Sequence, residues 1–150
     1  MTMNDQQTTL VADQIALRNL MDKYCDAVNR GDAESWISTW AEDASWNLLG
    51  TVVTGSEQIL GLWQQMMAGF EFVVMMPSSG QFQIEGDTAT GHWYLQEFSR
   101  NLEGVGNTLL SRYTDRYIKQ DGQWLFSHRD YVFIYNGPAD LSGSYLPLDQ

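Results

Sequence analysis

Ser111-Arg-Tyr-Thr-Asp-Arg-Tyr-Ile-Lys-Gln-Asp-Gly-Gln-Trp124 is the stretch on which the fold turns. Asp121-Gly122 supplies the two positive φ angles of a type I′ turn, so the flanking runs Thr108–Lys119 and Trp124–Asn136 are strands of one hairpin. Working back, Glu85-Gly86-Asp87 is a second turn, between a strand at Gln81–Glu85 and a strand over Thr88–Asn101. Phe72–Met76 is a short apolar run that Pro77 closes. From Gly69 onward the hydrophobic period is two, and an antiparallel meander results.

Upstream of Gly69 the period is helical. Leu17, Leu20, Met21, Tyr24 and Val28 form one stripe of a helix over Val11–Asn29. Gly31 suits its left-handed end, and Asp32 caps a second short helix over Ala33–Trp40. Ala44–Leu49 reads as a strand, and Ser56 caps a third helix that Gly69 ends. Helices first and strands afterwards define an α+β domain. The expected architecture is a cone: a curved antiparallel or mixed sheet wrapped around the long first helix, with two further helices. The space between helix and sheet is the place for a ligand. The division is a disordered start over 1–10, a domain over 11–136 and an irregular tail over 137–150.

Composition narrows the function classes. The 150 residues are one domain's worth. Nineteen acids against eight bases give a net charge of −11, which repels phosphate and argues against nucleic acid and anionic membranes as partners. The single cysteine, Cys25, excludes an internal disulfide and a multi-cysteine metal site. The first nine residues lack the basic and apolar segments of a secretory signal, so a cytoplasmic protein is expected. Six Trp, seven Tyr, six Phe and seven Met suit a packed core, and also a pocket for a flat apolar molecule.

Leu20-Met-Asp-Lys-Tyr-Cys-Asp-Ala-Val-Asn-Arg-Gly-Asp32, Trp40-Ala-Glu-Asp-Ala-Ser-Trp46, Glu85-Gly-Asp87 and the Asp121-Gly122 hairpin follow one another at a characteristic spacing. In this the chain resembles the SnoaL-like branch of the nuclear-transport-factor-2-like superfamily. The resemblance implies the cone fold and a homo-oligomer, trimer or dimer, built through the outer sheet face. That face would carry His92, Tyr94, Gln96, Arg112 and Thr114. In the lyases of this branch, an Asp near the end of the first helix and a His before the sheet remove a proton beside a leaving group. Those positions fall here on Asn29 and Met75. An amide has no usable basicity and a thioether cannot shuttle protons, so that pair cannot run the reaction here. The tyrosine position of one dehydratase of the branch falls on Tyr24. The family's alternation puts Trp93, Leu95 and Glu97 inward, as well as Leu109, Ser111 and Tyr113, while Arg129, Tyr131 and Phe133 share a face.

Glu97 becomes the replacement base. A carboxyl facing an aromatic cavity is raised by desolvation into the range of general acid–base work. Its rival reading is a rim position or an ion pair with Arg129 or Arg100. Tyr24 donates to a substrate oxygen, or packs in the core with its hydroxyl satisfied. Asn29 orients a carbonyl, or caps its helix; it stands about 140° from Tyr24 on an ideal helix. The expected lining is Val28, Trp46, Leu48, Met75, Trp93, Leu95, Ser111, Tyr113, Arg129 and Tyr131, with core packing as the rival for each. His92 and His128 point away from the cavity and have no metal-ligand spacing. No metal or cofactor is called for. Three functions remain: a cofactor-independent lyase or isomerase of dehydratase type on a small cyclic hydrophobic substrate, a non-catalytic binder of such a molecule, or a structural subunit.

Overall fold

The computed structural model describes residues 3–140 and 143–145. Helix α1 spans Asp5–Arg30 and buries Leu17, Leu20, Met21, Tyr24 and Val28, the stripe read from the sequence. It starts earlier than Val11, because Asn4 and Gln7 form a capping box. The Gln7 N–H donates to the Asn4 side chain and the Asn4 N–H to the Gln7 side chain. The start expected to be disordered is therefore helical from Asp5. Gly31, at φ 65°, ends α1, and Asp32 accepts the Ser35 N–H to open α2, Ala33–Ile37.

Strand β1, Trp40–Leu48, begins where the second helix was expected to continue. It turns through Leu49 and Gly50, both at positive φ, into β2, Thr51–Thr54, which the sequence did not reveal. Helix α3 is Ser56–Met67; its N-cap is Gly55, so Ser56 is the first helical residue and not the cap. Strand β3 runs unbroken over Phe70–Glu85, joining the two segments expected on either side of Pro77. β3 is an edge strand with an irregularity between Pro77 and Ser79, and there a missing N–H costs no ladder bond. Then follow β4, Thr88–Asn101, β5, Gly106–Gln120, β6, Gln123–Gly137, and β7, Ser144–Tyr145. The β5–β6 turn has φ 51° at Asp121 and 76° at Gly122, as Asp-Gly dictates. The tail expected to be irregular pairs with β6 through β7; residues 141–142 and 146–150 of it lie outside the described residues.

The described residues form one seven-stranded sheet in the order β2-β1-β6-β5-β4-β3, with β7 against β6. The β1–β6 pair is parallel and the others are antiparallel. β2 and β3 stand at the two edges, so the curved sheet does not close into a barrel. α1 packs against β3 and β6 on the concave face. Among the described residues, no helix is long and apolar enough to cross a membrane.

Indoles fill the region where α2, α3 and β1 meet. Trp36 stacks on Trp63 at 4.7 Å between ring centroids and touches Trp40 and Trp46 in tilted contacts. Each such ring buries upward of about 150 Å², so this cluster dominates the core energetics. Toward the start of α1, buried Asp13 accepts from the Lys119 ammonium at 2.8 Å and the Trp124 indole at 2.9 Å. On the convex face, Phe72, Val74, Met76, Phe98 and Val132 are exposed apolar side chains.

Candidate functional site

Between the C-terminal half of α1, helix α3 and the sheet lies a cavity of about 540 Å³. Register explains which strand residues reach it. Met75, Glu97 and Leu109 stand side by side across β3, β4 and β5, and Leu48, Tyr131 and Tyr113 stand side by side across β1, β6 and β5. Side chains alternate faces, so both rows project to the concave side. Tyr24 and Val28, one helical turn apart, complete the helix wall.

Among the described residues lining the cavity, Glu97 is the one carboxylate, and there is no histidine. Its Oε2 accepts from Ser111 Oγ at 3.1 Å and from the Tyr131 hydroxyl. No described side chain donates to Oε1. Burial pushes the Glu97 carboxyl above the usual range, and the Tyr131 and Ser111 hydrogen bonds only partly offset it. Neither Arg100 nor Arg129 is its partner: Arg100 pairs with Glu71 on the surface, and Arg129 with Asp115 inside.

The Tyr24 and Tyr113 hydroxyls share a hydrogen bond of 2.8 Å. Burial pushes Tyr24 up to about 12, against the pull of the Arg129 charge and the Tyr113 hydrogen bond. Burial also pushes the Cys25 thiol up to about 12, which suits a packing residue. Asn29 does not line the cavity. Its Oδ1 accepts the Met75 N–H at 2.6 Å and its Nδ2 donates to the Met75 carbonyl at 3.0 Å. The amide imitates a neighbouring strand and ties the end of α1 to β3.

Of the residues expected from sequence, the cavity wall brings together Glu97, Tyr24, Val28, Trp46, Leu48, Met75, Tyr113 and Tyr131. Trp93, Leu95, Ser111 and Arg129 are buried but stand behind it. Trp93 packs on Phe82, and the Arg18 guanidinium of α1 lies over its ring. Sequence reasoning did not place the α3 and rim residues on the wall, including Trp63, Met66, Met67, Phe70 and Val73. The apolar residues of α3, Ile59, Leu60, Leu62, Trp63, Met66 and Met67, were the available signal, since a helix covering an open cone must present such side chains to it. His128 bridges Ser45 and Asp130, and His92 lies against Tyr94; neither lines the cavity. No group of three potential metal ligands occurs among the described residues.

One family model matches most of this chain. The SnoaL-like domain matches residues 9–130, and the chain belongs to that family. Solved structures agree in fold. A protein from Novosphingobium aromaticivorans, provisionally described as a scytalone dehydratase, is 17% identical and superposes with a TM-score of 0.82, over 92% of this chain and 95% of its own. A hexachlorocyclohexane dehydrochlorinase from Novosphingobium barchaimii is 20% identical, with a TM-score of 0.79 over 93% of this chain and 97% of its own. At these identities the likeness establishes the NTF2-like cone and no more.

Proposed function

We propose that the chain is a lyase or isomerase of dehydratase type that moves a proton on a small, cyclic, mainly apolar substrate held in the cone, without a cofactor in the step. The observation that carries this reading is the half-held carboxyl of Glu97. Two hydroxyls fix Oε2, and among the described residues no side chain donates to Oε1. When ionised, Oε1 takes a proton from carbon next to a substrate carbonyl, whose oxygen Tyr24 holds. The C–H electrons become the new C=C bond as the neighbouring C–O bond breaks. Glu97 passes its proton to the departing hydroxide, and water leaves. Returning the proton to a different carbon gives isomerisation instead. Trp46, Leu48, Met75 and Val28 hold the ring, Ser111 and Tyr131 position the carboxyl, and Asn29 acts through Met75 and not on the substrate.

Two proteins provisionally described as dehydratases and a dehydrochlorinase among the structures of the same fold support the reaction class. One observation favours a second reading, a non-catalytic binder: Asn29 and Met75, the positions where the resemblance implies an acid–base pair, are an amide and a thioether bonded to each other. Incubation with a panel of cyclic hydroxyketones and chlorocyclohexanes, followed by mass spectrometry for loss of water or hydrogen chloride, separates the two. Turnover that Glu97→Gln abolishes supports the enzyme. Retained ligand binding with no turnover supports the binder. The convex apolar side chains support self-association as a dimer or trimer, which a light-scattering mass tests.

A further inference from the structure

On the face of the sheet turned away from the cavity, Ser45, His128 and Asp130 form a chain of hydrogen-bonded side chains. Ser45 Oγ meets Nδ1 of His128, and Nε2 of His128 lies 2.9 Å from Oδ2 of Asp130. Chemistry fixes where the protons sit. An ionised Asp130 can only accept, so Nε2 carries the ring proton and donates it. Nδ1 is then the lone-pair nitrogen, and the Ser45 hydroxyl donates to it. A serine proton aimed at a basic nitrogen, on an imidazole oriented by a carboxylate, is what makes a hydroxyl nucleophilic. Either ring nitrogen can be the base once the other holds the proton.

Register assembles this chain and sets a cation beside it. Thr54, Ser45, His128 and Arg116 stand side by side across β2, β1, β6 and β5. They alternate with buried Trp46, Arg129 and Asp115, which places them on the outer face. The register shifts on both flanks of His128: between Trp40 and Ser45 in β1, and between Arg116 and Tyr117 in β5, opposite Ser127. Bulges of this kind re-aim side chains. Next to them opens a groove of about 330 Å³, whose lining includes Thr88, Thr90, Arg116 and Ser127.

We propose that Ser45, His128 and Asp130 form a second catalytic site, one for acyl transfer from a small polar ester bound in the outer groove. It shares no residue with the cone site. Ser45 Oγ bonds to the ester carbonyl carbon as its proton passes to Nδ1 of His128. The bond from that carbon to the leaving oxygen breaks, Nδ1 gives the proton to that oxygen, and the alcohol departs. Water then attacks the acyl-serine, His128 takes its proton and returns it to Oγ, and the acid is released. Arg116, beside His128 in register, answers the negative charge that grows on the carbonyl oxygen. Asp130 touches no substrate and is a positioning residue. The hydroxyls of the groove suit a polar ester and not the flat apolar ring of the cone.

The test uses the full chain with two probes. 4-Nitrophenyl acetate reads turnover as nitrophenolate release, and a fluorophosphonate ester traps a nucleophilic serine with loss of fluoride. The wild type should release nitrophenolate, and peptide mass spectrometry should find the fluorophosphonate adduct on Ser45. Ser45→Ala should lose both. His128→Gln should slow release by about 100-fold, the usual weight of a general base. Asp130→Asn should slow both release and labelling, whereas a chain that merely stiffens the sheet would give no adduct in any variant. Release that survives Ser45→Ala, or an adduct on another residue, overturns the proposal. A wild type that neither releases nitrophenolate nor takes the label overturns it as well, whatever the variants do.

Discussion

Asp13 and Glu97 are both carboxyls removed from water, and they have been given opposite partners. Asp13, near the start of α1, faces the Lys119 ammonium and the Trp124 indole. Burial works against its charge, yet those hydrogen bonds and the lysine's charge outweigh it and hold the carboxyl below the usual range. Glu97, on the cavity wall, receives two neutral hydroxyls and, among the described residues, no cation, and burial wins. Burial alone therefore does not mark a site. A carboxyl whose charge is answered by a cation secures the fold, and one whose charge is left unanswered stores free energy that a proton transfer can use.

The sharpest way to break this contrast is Glu97→Gln. The amide keeps the volume and can still accept from Ser111 and Tyr131. Turnover should fall by about 100-fold or more, the usual weight of a general acid–base group, measured as kcat on whichever ring substrate is turned over. Stability should move the other way. The raised carboxyl holds its proton in the folded state after the unfolded chain has lost it. Wild-type stability should therefore decline as pH rises from about 4.3 toward the folded value, and Glu97→Gln should not show the decline. Urea unfolding at a series of pH values reads this.

Asp13→Ala should cost about 1–3 kcal/mol, since the Trp124 indole and Lys119 lose a charged acceptor. Its pH dependence is the mirror image. The contribution of Asp13 is present above about 3.9 and is lost as pH falls through the lowered folded value, so wild type and variant should converge in acid. Turnover should be unaffected. A smaller effect is expected from Asn29→Ala, about 1 kcal/mol for two hydrogen bonds replaced in part by water. Hydrogen exchange should then quicken at the Met75 amide, and KM should rise with kcat little changed. A fall in kcat alone would make Asn29 a substrate contact.

The fold was largely legible because its signals are local. Asp121-Gly122 specifies one turn, Gly31-Asp32 a stop and a cap, and the Leu17 to Val28 stripe one buried face. What escaped is non-local or positional. Pro77 reads as a terminator unless β3 is known to be an edge, and Thr51–Thr54 is a strand only because β1 is there to pair with it. Parity put Glu97 on the concave face, but no parity argument distinguishes a residue on the cavity wall from one behind it. Trp93 and Tyr113 are cross-strand partners, and only the second lines the cavity. The Asn29–Met75 bond joins residues 46 positions apart, and the chain has no local sign of it.

The stacked pair Trp36 and Trp63, with planes only 13° apart, has an optical consequence. Two indoles that close couple electronically and should give a paired-sign band in near-ultraviolet circular dichroism. Trp63 is also a wall residue, as is Trp46. A guest entering the cone would press on one member of that couple and change the band's amplitude, so the molecule has an unlabelled gauge of its own occupancy.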